Sequence, residues 1–120
     1  MIRRFVLVAA IAASALVLVS QIGAMSAPKL TGTVGPGFTI SLKDSTGKRV
    51  TTVKAGKYTF AISDKSSIHD FRLEKGSIHK TLTTVPFKGT KNVTVTLAKG
   101  KWQFYCDPHE ASMKGTFTVT

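Results

Sequence analysis

Gly100-Lys101-Trp102-Gln103-Phe104-Tyr105-Cys106-Asp107-Pro108-His109-Glu110-Ala111-Ser112-Met113 is the most informative stretch of this 120-residue chain. Its first half is a glycine turn feeding a strand. Side chains alternate along a strand with a period of two, so Trp102, Phe104 and Cys106 share one face. A face built from tryptophan and phenylalanine is a core face, and Cys106 is therefore expected to point inward at the end of its strand. Buried free cysteines often serve simply as small hydrophobes.

The same pattern occurs once more. Gly56-Lys57-Tyr58-Thr59-Phe60-Ala61-Ile62 aligns with Gly100–Cys106 as a glycine turn followed by alternating large apolar residues. Elsewhere, too, period-two patterns dominate and no helical periodicity lasts more than a turn or two. Candidate strands are Phe38–Leu42, Tyr58–Ile62, His69–Leu73, Val93–Leu97, Lys101–Cys106 and Thr116–Val119. Asp44-Ser45-Thr46-Gly47, Ala55-Gly56 and Lys99-Gly100 supply turns. Six or seven short strands at this spacing predict an all-β, antiparallel sandwich or barrel over residues 38–120. Residues 27–37, rich in Pro, Gly and Thr, read as a linker into the first strand. The stretch 76–92 reads as an irregular crossing between sheets.

The N-terminus has a different grammar. Arg3 and Arg4 precede an apolar run from Phe5 to Val19, broken only by Ser14, and then the small-residue stretch Gly23-Ala24-Met25-Ser26-Ala27. That order is the pattern of a secretory signal peptide, here residues 1–26, with cleavage after Ala24, Ser26 or Ala27. The alternative is a retained anchor, but the run is shorter than the roughly 20 residues that span a bilayer comfortably. No cysteine lies near the cut to carry a lipid. Both readings export the rest of the chain, to the periplasm, the cell surface or the medium, and a cleaved signal leaves no membrane span.

The formal net charge is +11, from 17 Lys and Arg against 6 Asp and Glu. Past the signal the basic residues are scattered singly and are mostly lysine, with no arginine-rich run or recognition helix. Nucleic-acid binding is therefore a poor reading. Such a surface keeps a small domain soluble, and its field also attracts acidic partners.

Cys106 is the only cysteine, so no internal disulfide can form. An exported lone thiol needs burial, a second chain or a metal to protect it. Its neighbours suggest the metal. Cys106, His109 and Met113 follow the spacing Cys-x2-His-x3-Met, and Met113 is the only methionine beyond the signal segment. A thiolate, an imidazole and a thioether on one loop form a soft ligand set that selects copper over hard cations. The usual arrangement of such a centre needs a second histidine, and the candidates are His69 and His79.

With these residues in place the chain resembles the cupredoxins, the blue-copper family that includes plastocyanin, pseudoazurin and amicyanin. The resemblance rests on a histidine opening a middle strand (Ile68-His69-Asp70-Phe71), an aromatic strand ending in cysteine (Phe104-Tyr105-Cys106), and the loop Cys106-Asp107-Pro108-His109 closed by Met113. It covers roughly residues 31–120 and implies a Greek-key β-sandwich with one copper ion at one end. It also implies His69, Cys106, His109 and Met113 as the metal ligands, cycling between Cu(II) and Cu(I). The implied role is that of an exported single-electron carrier rather than an enzyme, meeting a redox protein donor and acceptor; a monomer is expected, and the basic charge suits an acidic docking surface on the partner. His109, framed by Pro108 and Ala111, would be the electron port. A copper carrier or buffer that delivers metal rather than electrons is the alternative. One position departs from the family: Asp70 stands where many members have an asparagine that ties the two ligand loops together. An ionised aspartate accepts hydrogen bonds but donates none, and its charge is expected to favour Cu(II).

Overall fold

The computed structural model describes residues 26–120; the signal segment expected over residues 1–26 falls almost wholly outside them. Nine strands follow in order: β1 (Lys29–Val34), β2 (Ile40–Lys43), β3 (Thr52–Val53), β4 (Gly56–Asp64), β5 (Phe71–Lys75), β6 (Ile78–Thr83), β7 (Gly89–Leu97), β8 (Gly100–Tyr105) and β9 (Lys114–Val119). They form a four-stranded sheet ordered β2-β1-β4-β7 and a five-stranded sheet ordered β3-β9-β8-β5-β6. The inward residues of β4 (Phe60, Ile62) and of β8 (Trp102, Phe104) fall in one apolar cluster with Phe71, Leu73, Phe117 and Leu97. Within it Phe71 and Phe104 stack with centroids 6.0 Å apart. The all-β sandwich expected from period-two patterning is what the chain forms.

The sheets are mixed rather than purely antiparallel, since β1 runs parallel to β4 and β3 parallel to β9. Two expectations need correction. Residues 27–37 are not a linker: Lys29–Val34 is β1, paired with both β2 and β4. Its inward positions are Leu30, Gly32 and Val34, and the glycine interrupts the apolar signal. The gap is required, because a Cβ on Gly32 would lie 2.6 Å from Ile62 Cδ1 and 2.8 Å from Phe71 Cε2. The stretch 76–92 is likewise not an irregular crossing but contains β6 and the start of β7. Four of the six β6 residues are exposed, as are Gly89–Asn92 of β7. An edge strand with only Leu82 and Thr83 buried shows no alternating apolar pattern.

Pairing register places the functional end of the sandwich. β5 and β8 are antiparallel neighbours with Arg72 opposite Tyr105, so the residues leading into β5 lie beside those that follow β8. β8 and β9 are also antiparallel, with Tyr105 opposite Lys114. The loop 106–113 therefore closes a hairpin directly beside His69 and Asp70.

Candidate metal centre

Cys106 leaves β8 in extended conformation and precedes a single 3-10 turn, Asp107–His109. Proline suits the first turn of a helix, where its missing N–H has no partner to lose. The Cys106 carbonyl accepts from His109 N–H, the His109 carbonyl from Met113 N–H at 2.9 Å, and the Met113 carbonyl from Cys106 N–H at 3.0 Å. These bonds wind the loop so that Cys106, His109 and Met113 are held by one another's backbones. Cys106 and Met113 are both fully buried.

His69 comes from the crossing between sheets. It sits two residues before β5 rather than within a strand, and is 1% exposed. The ligand atoms of His69, Cys106 and His109 all lie within 4.8 Å of one another. His69 Nδ1 is 3.1 Å from His109 Nδ1, and each of these nitrogens is 3.7 Å from Cys106 Sγ. His69 Nε2 is 2.8 Å from the Gly37 carbonyl. A carbonyl only accepts, so Nε2 carries the hydrogen and Nδ1 keeps a lone pair aimed at the cluster. His79 is elsewhere, exposed on β6 with Nδ1 3.3 Å from both Tyr105 Oη and Glu74 Oε2.

Burial pushes the Cys106 thiol above its ordinary value, while backbone N–H groups of Asp70 and His109 work in the opposite direction. A buried sulfur facing two imidazole nitrogens is poor hydrophobic packing but a sensible donor set. Bonds of about 2.0–2.1 Å to nitrogen and about 2.3 Å to sulfur, lengths typical of a first-row ion, span a triangle of this size. The cluster fits such an ion.

Three contributors are absent from the sequence reading. Phe38, 59% exposed, sets its ring edge-to-face against both His69 and His109, at 5.3 and 5.0 Å between centroids. Gly37 supplies the carbonyl just described, and both come from the β1–β2 turn of the opposite sheet. The third is Arg72, whose Nε donates to Asp70 Oδ2 at 2.8 Å. Asp70 is 1% exposed, and its Oδ1 accepts from Asp107 N–H at 2.7 Å. Asp70 thus joins the segment carrying His69 to the loop carrying Cys106 and His109, and its charge is paired rather than bare. Period-two spacing puts positions 70 and 72 on one side of the chain, a signal that could have suggested the pair.

A sandwich of two sheets with a His–Cys–His cluster between the loops at one end defines a class. The model of the cupredoxin-like domain matches residues 8–119, and the chain belongs to that family. Among solved structures it is similar to the copper protein rusticyanin, at 16% identity and TM-score 0.51 over 77% of this chain and 76% of that one. Reduced rusticyanin gives 18% identity and TM-score 0.51 over 77% and 78%. Amicyanin from Paracoccus versutus aligns at 17% identity and TM-score 0.48 over 83% and 86%. At such identities the likeness to the two rusticyanin structures is one of fold. No curated protein sequence matches the chain.

Proposed function

We propose that this is an exported protein that binds one copper ion through His69, Cys106, His109 and Met113 and carries single electrons. The observation that carries the reading is the triangle of two imidazole nitrogens and a thiol sulfur, 3.1 and 3.7 Å on its sides, inside a cupredoxin-like sandwich. Copper bound there would supply a one-electron couple between Cu(II) and Cu(I). The chain's own residues do the rest. Cys106 would hold the ion as thiolate and the histidines as neutral imidazoles, so loading would release protons and weaken toward acid pH. The Gly37 carbonyl holds the His69 ring in its ligating tautomer. Met113, anchored by its backbone to both Cys106 and His109, would add a thioether sulfur to the donor set. Half-buried His109 is the route for electrons, and Phe38 beside it, with Pro108 and Ala111, supports reading this apolar end as the face that meets a redox partner.

The test is the visible spectrum of the chain with its signal removed, titrated with Cu(II). An intense thiolate-to-copper band is expected in the wild type and its loss in Cys106→Ser; a wild type without the band refutes the reading. His69→Ala should abolish the band and His79→Ala should keep it. Repeated reduction and reoxidation with copper retained is the behaviour of an electron carrier. Loss of the metal on reduction would favour the delivery of copper instead.

A further inference from the structure

Arg72 and Asp70 form the only salt bridge among the described residues that does not involve a histidine, and it lies directly behind the ligand loops. Its two halves differ sharply in exposure: the Asp70 side chain is 1% exposed and that of Arg72 is 32% exposed. One carboxylate oxygen takes the Arg72 Nε hydrogen and the other takes the Asp107 amide hydrogen. Asp70 also raises the Arg72 guanidinium further above its usual range, chiefly through that hydrogen bond. A buried carboxylate without a partner would be costly, and an amide side chain could tie the loops without any charge. The pair therefore does two jobs at once. Asp70 bridges the loop carrying His69 to the loop carrying Cys106 and His109, and Arg72 cancels the charge that this bridge brings to the metal.

We infer that Arg72 is a positioning residue of the metal centre, which orients Asp70 as the inter-loop bridge and, by neutralising it, sets the reduction potential of the bound metal. This rests on the copper reading proposed above. The sign is fixed by electrostatics. An uncompensated negative charge near the site stabilises the more positive oxidised ion, and an uncompensated positive charge stabilises the reduced one. Arg72→Met leaves Asp70 bare and lowers the potential. Asp70→Asn keeps an acceptor for the Asp107 amide, leaves Arg72 bare and raises the potential. The double variant removes both charges together and returns close to the wild type. A purely structural role predicts no such opposition of sign.

The experiment measures the reduction potentials of the copper-loaded wild type, Arg72→Met, Asp70→Asn and the double variant. Each single change is expected to shift the oxidised-to-reduced ratio about tenfold at fixed solution potential, which for one electron is about 59 mV. The shifts have opposite directions and cancel in the double variant. Arg72→Lys keeps the charge and is expected to recover most of the potential. A second readout needs no metal: hydrogen exchange at the Asp107 amide of the metal-free chain should quicken in Asp70→Ala and in Arg72→Met but not in Asp70→Asn. Should Arg72→Met fail to fold, Asp70→Asn and Arg72→Lys still decide the potential. A normal thiolate-to-copper band with potentials that stay still, or move in the same direction, overturns this inference alone. A wild type that lacks the band overturns the copper reading, and the role of Arg72 in setting a potential falls with it.

Discussion

Asp64 ends β4 with a carboxyl group that is 1% exposed and whose Oδ2 has no hydrogen-bond partner, while Oδ1 accepts from Ser66 N–H at 3.1 Å. Burial raises its pKa above the ordinary 3.8, against the opposing pull of the Ser66 amide and the nearby Thr83 hydroxyl. The folded chain thus holds this proton at pH values where the unfolded chain has lost it. Stability from this group is full below pH 3.8 and is lost as pH rises through the raised value, because folding there favours the protonated form. Asp64→Asn removes the titration. Melting curves of the metal-free protein should show the variant gaining on the wild type as pH climbs from about 3 to 7; a constant difference would contradict the argument. Cys106 makes a companion case. Reactive cysteines are exposed thiolates, whereas this one is fully buried and pushed toward the thiol. Iodoacetamide should label the native metal-free chain at least ~10² more slowly than the urea-unfolded chain. The sequence alone points to Cys106, His109 and Met113, because a lone thiol behind a signal-like N-terminus demands an explanation that local spacing provides. His69 is recognisable only through family resemblance, since 37 residues separate it from Cys106 and strand pairing, not sequence spacing, brings them together.

Among the elements, β1 and β9 each leave out a side chain where an aromatic ring approaches the strand closely. Gly115 faces Phe104 in the β8–β9 register, and a Cβ there would collide with the Phe104 ring. Gly32 in β1 makes room for Ile62 and Phe71 in the same way. Overfilling a packed core costs about 1–3 kcal/mol, so Gly32→Ala and Gly115→Ala should each lower stability by about that amount in urea unfolding. Gly115→Ala should also disturb the centre, because Gly115 lies two residues beyond Met113 and Phe104 two before Cys106. A broadened or shifted copper band in that variant, and a normal one in Gly32→Ala, is the expected contrast. These glycines also explain what could be read of the elements from sequence. β4 and β8 present their aromatic residues at every second position and are plain to see. β1 hides one inward position behind a glycine, and β6 is an edge strand that buries only its last two residues, so neither carries an alternating apolar signal.

Across the whole molecule, charge and apolar exposure are distributed differently. The lysines are spread around the sandwich, and nearly all are exposed. Among the described residues, two of the three large hydrophobic residues that remain exposed, Phe38 and Ile68, lie at the His–Cys–His end, one against both histidine rings and the other next to His69. The only acidic residues of the Cys106–Met113 loop, Asp107 and Glu110, sit at that end too. The long-range field is therefore basic, while the end proposed to meet a partner is apolar and locally mixed in sign. A field of this kind speeds encounter with an acidic partner and is screened by salt, whereas short-range apolar contact is much less sensitive. Raising the ionic strength from 0.01 to 1 M shrinks the screening length from about 30 Å to about 3 Å. Stopped-flow electron exchange with an acidic redox protein should slow by roughly 10- to 10³-fold over that range. Exchange with a small uncharged reductant should change little. Phe38→Ser should weaken the protein reaction at every ionic strength by a similar factor, since it removes contact area and leaves the net charge unchanged. A salt-independent rate with the acidic protein would mean that the basic surface serves solubility alone.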